Sequence, residues 1–352
     1  MSDRIKNFIK LDVPLTHSPA QLCHVDSLSM VLKYMGDEYE PWYIGGTSGR
    51  FFGFGYYPTN ERVRIGLGSY PLKALLTFLR EHRYAFRFDE GRTWKDAFVS
   101  LKKYLVNGTP VLVISHMGWL SYNKEYEMFR TMGGVVDHYV VITGFMDDEL
   151  VYVNDPNPDT PMKNARLPLE DFRIGWGEKL LKLQGLRCPM LVVRRRERSP
   201  ETKRILVKAL RRALRLMKTD RGSMGLAGMR RASEEIPELL RKDAVSMKNS
   251  LSEFAFFTFR VAATEANFAS RFMDYVAREL AIPQLEYSAS KLLVTSEFFA
   301  RLRELFMDAS RGQVMTGDIA NAVKTLLVGA WQAETECFAN LDKITRERLP
   351  AL

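Results

Sequence analysis

At Ser199-Pro200 the sequence changes its period. Ahead of that point, short runs rich in Val, Ile and Tyr alternate with stretches whose apolar residues recur every three or four positions. That mixture predicts strands and helices in one domain. Beyond it strand signals almost vanish, and long helical patterns cover 201–218, 227–248, 251–280, 286–309 and 316–346. At 352 residues the chain is also long for a single domain. The pattern predicts an α+β domain over 1–196 and an all-helical domain over 197–352. No apolar run reaches the roughly 18 residues of a membrane span. The N-terminal MSDRIKNFIKLDVPL lacks a secretory core. The three cysteines, Cys23, Cys188 and Cys337, are too few and too far apart for a disulfide framework. A reducing cytoplasm is the expected compartment.

In the first domain, VDSLSMVLKYMG sets Val25, Leu28, Leu32 and Met35 at helical spacing, with Gly36 as the stop. LKALLTFLREH and TWKDAFVSLKKYLVNG read as two more helices, the latter closed by Asn107-Gly108. PVLVISH, HYVVITGF, LVYVND and CPMLVVRR read as strands, and MDDE joins the middle two as a hairpin. If Asp147-Asp148 form a two-residue turn, Met146 lies opposite Glu149 and Val140 opposite Asp155. His138 is then two residues further along the same face, diagonal to Asp155, while Asn154 points away. A loop one residue longer or shorter would exchange Asp155 and Asn154. The segment GGTSGRFFGFGYY (45–57) has two readings: a flexible loop lining a ligand cleft, or an irregular connection whose aromatics plug the core. It is no phosphate loop, because no Gly-Lys-Ser/Thr follows.

Cys23 stands where helical periodicity begins, just after the Ser18-Pro19 bend. A free thiol, with a pKa of roughly 8.5, needs help to act as a nucleophile at neutral pH. A helix N-terminus supplies partial positive charge, and an imidazolium facing the sulfur supplies more. His24 adjoins Cys23, but neighbours on a helix point about 100° apart, so it reads as a surface or cleft-edge residue. His82, between charges at a helix end, reads as solvated, and His17 could reach the site from its loop. His138 is the candidate base, with Asp155 as the acid that would orient it.

The order Cys23, His138, Asp155 and the strings around them resemble the papain-like cysteine enzymes, and within these the peptidases that trim double-glycine leaders. The butirosin-biosynthesis acyltransferase (BtrH-like) family is more similar still. Three features carry this resemblance: CHVDSLSMVLKYMG followed by a glycine-aromatic segment; DHYVVITGF with VYVNDP; and a helical domain opening with GSMGLAGMRRASEEI. It implies a papain-like catalytic domain with Cys23 as nucleophile, His138 as base and Asp155 as orienter. It also implies transfer of an acyl group from a carrier-protein thioester to an amine acceptor in natural-product biosynthesis, through an acyl-Cys intermediate. Papain-like enzymes place a Gln a few residues ahead of the Cys to complete the oxyanion hole. Here Gln21 is two residues upstream and His17 six, so either is a candidate donor beside the Cys23 backbone N–H. The alternatives are a cysteine peptidase or thioesterase on the same residues, and a non-catalytic binding protein of this fold.

The net charge of +9 is local. Arg194 to Lys218 holds eleven Lys or Arg against two Glu, a surplus equal to that of the whole chain. Arg204, Lys208, Arg211, Arg215 and Lys218 form one stripe at alternating spacings of four and three. The stripe reads as a solvated helix face or as a docking surface for an acidic acyl carrier protein. The donor would carry its own phosphopantetheine, with acyl-CoA as the alternative donor, and no bound cofactor is expected. No nucleic-acid reading motif accompanies the stripe. A basic amphipathic helix can also lie on an anionic membrane. No Cys/His spacing suggests zinc, and the acids of 147–159 lack calcium-loop spacing, so no metal is expected. Cys188 and Cys337 read as core thiols, and a homodimer through the long helices has no heptad pattern behind it.

Overall fold

The computed structural model describes residues 8–19, 22–90, 93–124, 126–131, 137–178, 186–195, 201–219 and 221–349. The described strands are β1 (Phe8–Lys10), β2 (Phe54–Pro58), β3 (Val63–Leu67), β4 (Ala85–Glu90), β5 (Val111–His116), β6 (Asp137–Met146), β7 (Leu150–Asp155), β8 (Met162–Pro168) and β9 (Pro189–Arg194). The chain divides into two compact units: Met1–Pro41 with Leu79–Ser199, and Trp42–Phe78 with Pro200–Leu352. The boundary expected between 196 and 197 lies outside the described residues.

In the first unit the sheet runs β4-β9-β5-β6-β7-β8, and β1 adds to β6. Every described pairing is antiparallel. Val111, Val113, Val140, Ile142, Val151 and Val153 recur at every second position and pack with Phe98, Leu101 and Leu105 of the helix Trp94–Val106. Thr93 caps that helix by accepting from Asp96 N at 3.1 Å, and Asn107 with the left-handed Gly108 ends it. The helix Cys23–Tyr34 is buried from Cys23 through Leu32. Its Ser27 hydroxyl donates to the Tyr139 carbonyl at 2.9 Å, tying it to β6.

The β6–β7 turn is one residue longer than expected. Asp147, Asp148 and Glu149 form it, with Asp147 left-handed, and Met146 lies opposite Leu150. That slip alone would have exchanged Asp155 for Asn154. A bulge between Ile142 and Gly144 absorbs the extra residue, so that Val141 lies opposite Asn154, the register a two-residue turn would give. Strands β1, β2, β3, β4 and β8 were not expected. In β8, Lys163, Asn164 and Arg166 interrupt the apolar residues, and β1 is only three residues long, so neither offers an apolar run.

The second unit holds the helices Thr202–Met217, Gly225–Arg241, Phe259–Glu279, Gln284–Ser310 and Thr316–Glu347 and the hairpin β2–β3. The helix expected over 227–248 stops at Arg241: Asp243 turns left-handed and Ala244 N bonds back to Leu239 O at 3.0 Å. The pattern expected over 251–280 opens with a π-helical turn, Phe254–Thr258, before Phe259–Glu279. The glycine-aromatic segment belongs to this unit. Phe51 packs on Phe268, and Phe52 on Phe272 and Phe338, so its aromatics do plug a core. Among the described residues no helix is long and apolar enough to cross a membrane.

Candidate active site

Cys23 is the first residue of its helix, which places the sulfur at the positive end of the helix dipole. Ahead of it, Asp26 holds the approaching chain: its carboxylate accepts from Ser18 N at 2.9 Å and from Ser18 Oγ at 2.6 Å. Asp26 is one helical turn from Cys23, so the residue that fixes the incoming bend is carried by the helix itself. Burial pushes Asp26 up to about 7, against the Ser18 hydrogen bonds and the charge of His138.

His138 lies near the start of β6, opposite Ser115 of β5. Its Nε2 is 2.6 Å from Asp155 Oδ1 at the end of β7. The other Asp155 oxygen accepts from Tyr122 Oη at 2.8 Å, and Asn157 N donates to Oδ1 at 2.8 Å. Asn154 points away: its amide donates to Val13 O and its oxygen accepts from Asn164 N. With Nε2 held by Asp155, the other ring nitrogen is the one left for Cys23, to which the ring is hydrogen-bonded. Burial of His138 favours the neutral ring, but the Asp155 carboxylate and then Cys23 outweigh it and raise the pKa well above its ordinary value. Burial, with the Asp155 charge second, also raises the Tyr122 phenol, so Tyr122 remains a donor. Cys23 keeps 9% of its surface exposed against 2% for His138 and none for Asp155, so the sulfur is the most accessible of the three groups.

The structure thus brings Cys23, His138 and Asp155 together. Gln21 lies outside the described residues. His17 is exposed in the segment leading to Ser18. His24 is not on the surface: it is buried, its ring edge-on to Tyr139 at 5.8 Å, because the whole first half of the helix is enclosed. His82 is not solvated either; it is fully buried against Tyr39. Of the basic stripe, Arg204, Arg211, Arg215 and Lys218 are exposed and Lys208 is half-buried. Lys218 pairs with Asp342 at 2.7 Å, and Arg211 donates to the Leu349 carbonyl at 3.4 Å. Tyr122 and Asp26 were not singled out from the sequence. Asp26 had a signal, its spacing of three from Cys23 on one helix; Tyr122 had none, because only the fold brings its loop to β7.

A buried imidazole between a helix-end cysteine and a carboxylate is the arrangement of a cysteine nucleophile. Residues 6–179, just under half of the chain, match the model of the Peptidase_C39 like family, a match of the cysteine-peptidase type. No curated protein matches the chain. The fold is α+β: a sheet domain that fits the papain-like type, followed by a helical region.

Proposed function

We propose that this protein is a cysteine-dependent acyltransferase of the BtrH-like kind, moving an acyl group from a carrier-protein or CoA thioester to an amine. The observation that carries the reading is His138, held by Asp155 on one side and hydrogen-bonded to Cys23 on the other. The Cys23 sulfur attacks the thioester carbonyl, and the new S–C bond forms as the C–S bond to pantetheine breaks. His138 gives its proton to the departing thiol. The amine nitrogen then attacks acyl-Cys23, His138 takes the amine proton, the amide forms and the Cys23 thiolate leaves. The Cys23 backbone N–H is the first oxyanion donor, with Gln21 or His17 as candidates for the second. The basic stripe suits docking of an acidic carrier, which brings its own phosphopantetheine.

The match to a peptidase-like family favours a second reading, hydrolysis of a peptide or thioester on the same residues. Product analysis separates the two. Acetyl-pantetheine is supplied with and without a panel of primary amines and aminoglycosides, and the products are resolved by mass. Acyltransfer predicts amide at the expense of free acid as amine is added. Free acid alone, unaffected by any amine, overturns it.

A further inference from the structure

A second site lies wholly within the helical unit. Phe51, Phe54, Met217, Met229 and Phe299 wall a cavity of about 30 Å³ there, and Glu265 and Glu334 also line it. Both glutamates sit on otherwise apolar faces of long helices, Phe259–Glu279 and Thr316–Glu347, and both are more than nine-tenths buried. Arg50 Nη1 reaches Glu265 at 2.8 Å and donates to the Leu67 carbonyl at 2.8 Å. Glu334 has no hydrogen-bond or ion-pair partner among the described residues, and burial raises it to about 8. Arg50 therefore answers Glu265, while the buried Glu334 carboxyl has no counter-charge of its own among the described residues.

We propose that this cavity receives the ammonium head of a small primary amine. A buried carboxylate is costly unless it is paired. An ammonium beside Glu334 would pair with the carboxylate as it gives up its proton, and the rings of Phe51, Phe54 and Phe299 suit a cation held against apolar walls. The volume fits: a water needs about 10–15 Å³ of such space, so 30 Å³ takes two heavy atoms, the size of methylammonium. Two carboxylates among aromatic and thioether walls are too few hard oxygen donors for Mg²⁺ or Ca²⁺. This site is argued without reference to Cys23, so its test runs equally on a Cys23→Ala chain and can fail while the thiol chemistry stands.

Calorimetric titration of the full-length protein with methylammonium, n-butylammonium and potassium chlorides tests it. Saturable one-to-one binding of methylammonium is expected, with proton release seen as a dependence of the heat on the buffer. Glu334→Gln is expected to weaken it at least tenfold. Ala266→Leu, which fills the cavity but keeps both carboxylates, is expected to do the same. Binding of n-butylammonium at similar strength would identify the head group of a longer amine as the ligand; its exclusion would identify a small free amine. No saturable binding to the wild type, undiminished binding to a folded Glu334→Gln protein, or potassium binding as tightly as methylammonium would overturn the proposal.

Discussion

Tyr122 and Asp26 are the residues whose removal should tell most about how the site is held. Tyr122→Phe deletes the hydrogen bond to Asp155 Oδ2 and leaves the ring. Hydrogen bonds to charged groups contribute about 1.5–3 kcal/mol, so acylation of Cys23 should slow by about tenfold or more, measured by rapid-quench mass spectrometry, with the fold intact. Asp26 makes a prediction in pH. Its folded pKa of about 7 lies above the ordinary 3.8, so its contribution to stability is fully present below pH 4 and is lost as pH rises towards 7. Asp26→Asn should therefore gain stability relative to the wild type as pH rises between those limits. The gain should be about 1.4 kcal/mol for each step of one in pH, measured by urea unfolding at each pH. A difference that is flat with pH would show that the carboxyl is not held protonated by burial. At this level the sequence was informative for Cys23, His138 and Asp155 because each stands in a local pattern. It was silent on Tyr122, whose partner is 33 residues away.

The β6–β7 hairpin shows how an element can reach an expected contact by an unexpected route. The turn is a residue longer than the string MDDE suggested, and a bulge near Thr143 removes the slip. Turn length and bulge are each weakly written in sequence, while the face that Asp155 must share with His138 is fixed by burial. The helix Thr202–Met217 carries a prediction of its own. Its apolar face, Ile205, Leu206, Ala209, Leu210 and Ala213, is buried, and Arg204, Arg211 and Arg215 remain exposed. Reversing Arg204 and Arg215 to Glu should raise KM for a carrier-bound acyl donor at least tenfold and leave a short pantetheine thioester unaffected. Equal effects on both donors would remove the helix as a docking surface.

Across the whole molecule the least legible feature was the membership of residues 42–78. They precede β4 in the chain but pack with the helices, since the partners of Phe51 and Phe52 are Phe268, Phe272 and Phe338. No periodicity in a glycine-aromatic string says which core its rings will enter. A fragment ending at 199 would expose those rings and should aggregate, whereas the same fragment with 42–78 replaced by a Gly-Ser linker should be more soluble, as judged by size-exclusion chromatography. The change of pattern at Ser199-Pro200, in contrast, was plain, because long helices and short strands differ in period along their whole length. The central claim, that Cys23 carries the acyl group, is tested most directly by intact-mass measurement after incubation with acetyl-pantetheine, followed by peptide mapping. A single acetyl adduct on Cys23, formed much more slowly in His138→Ala and absent in Cys23→Ala, is predicted; no adduct, or one confined to other residues, would contradict it.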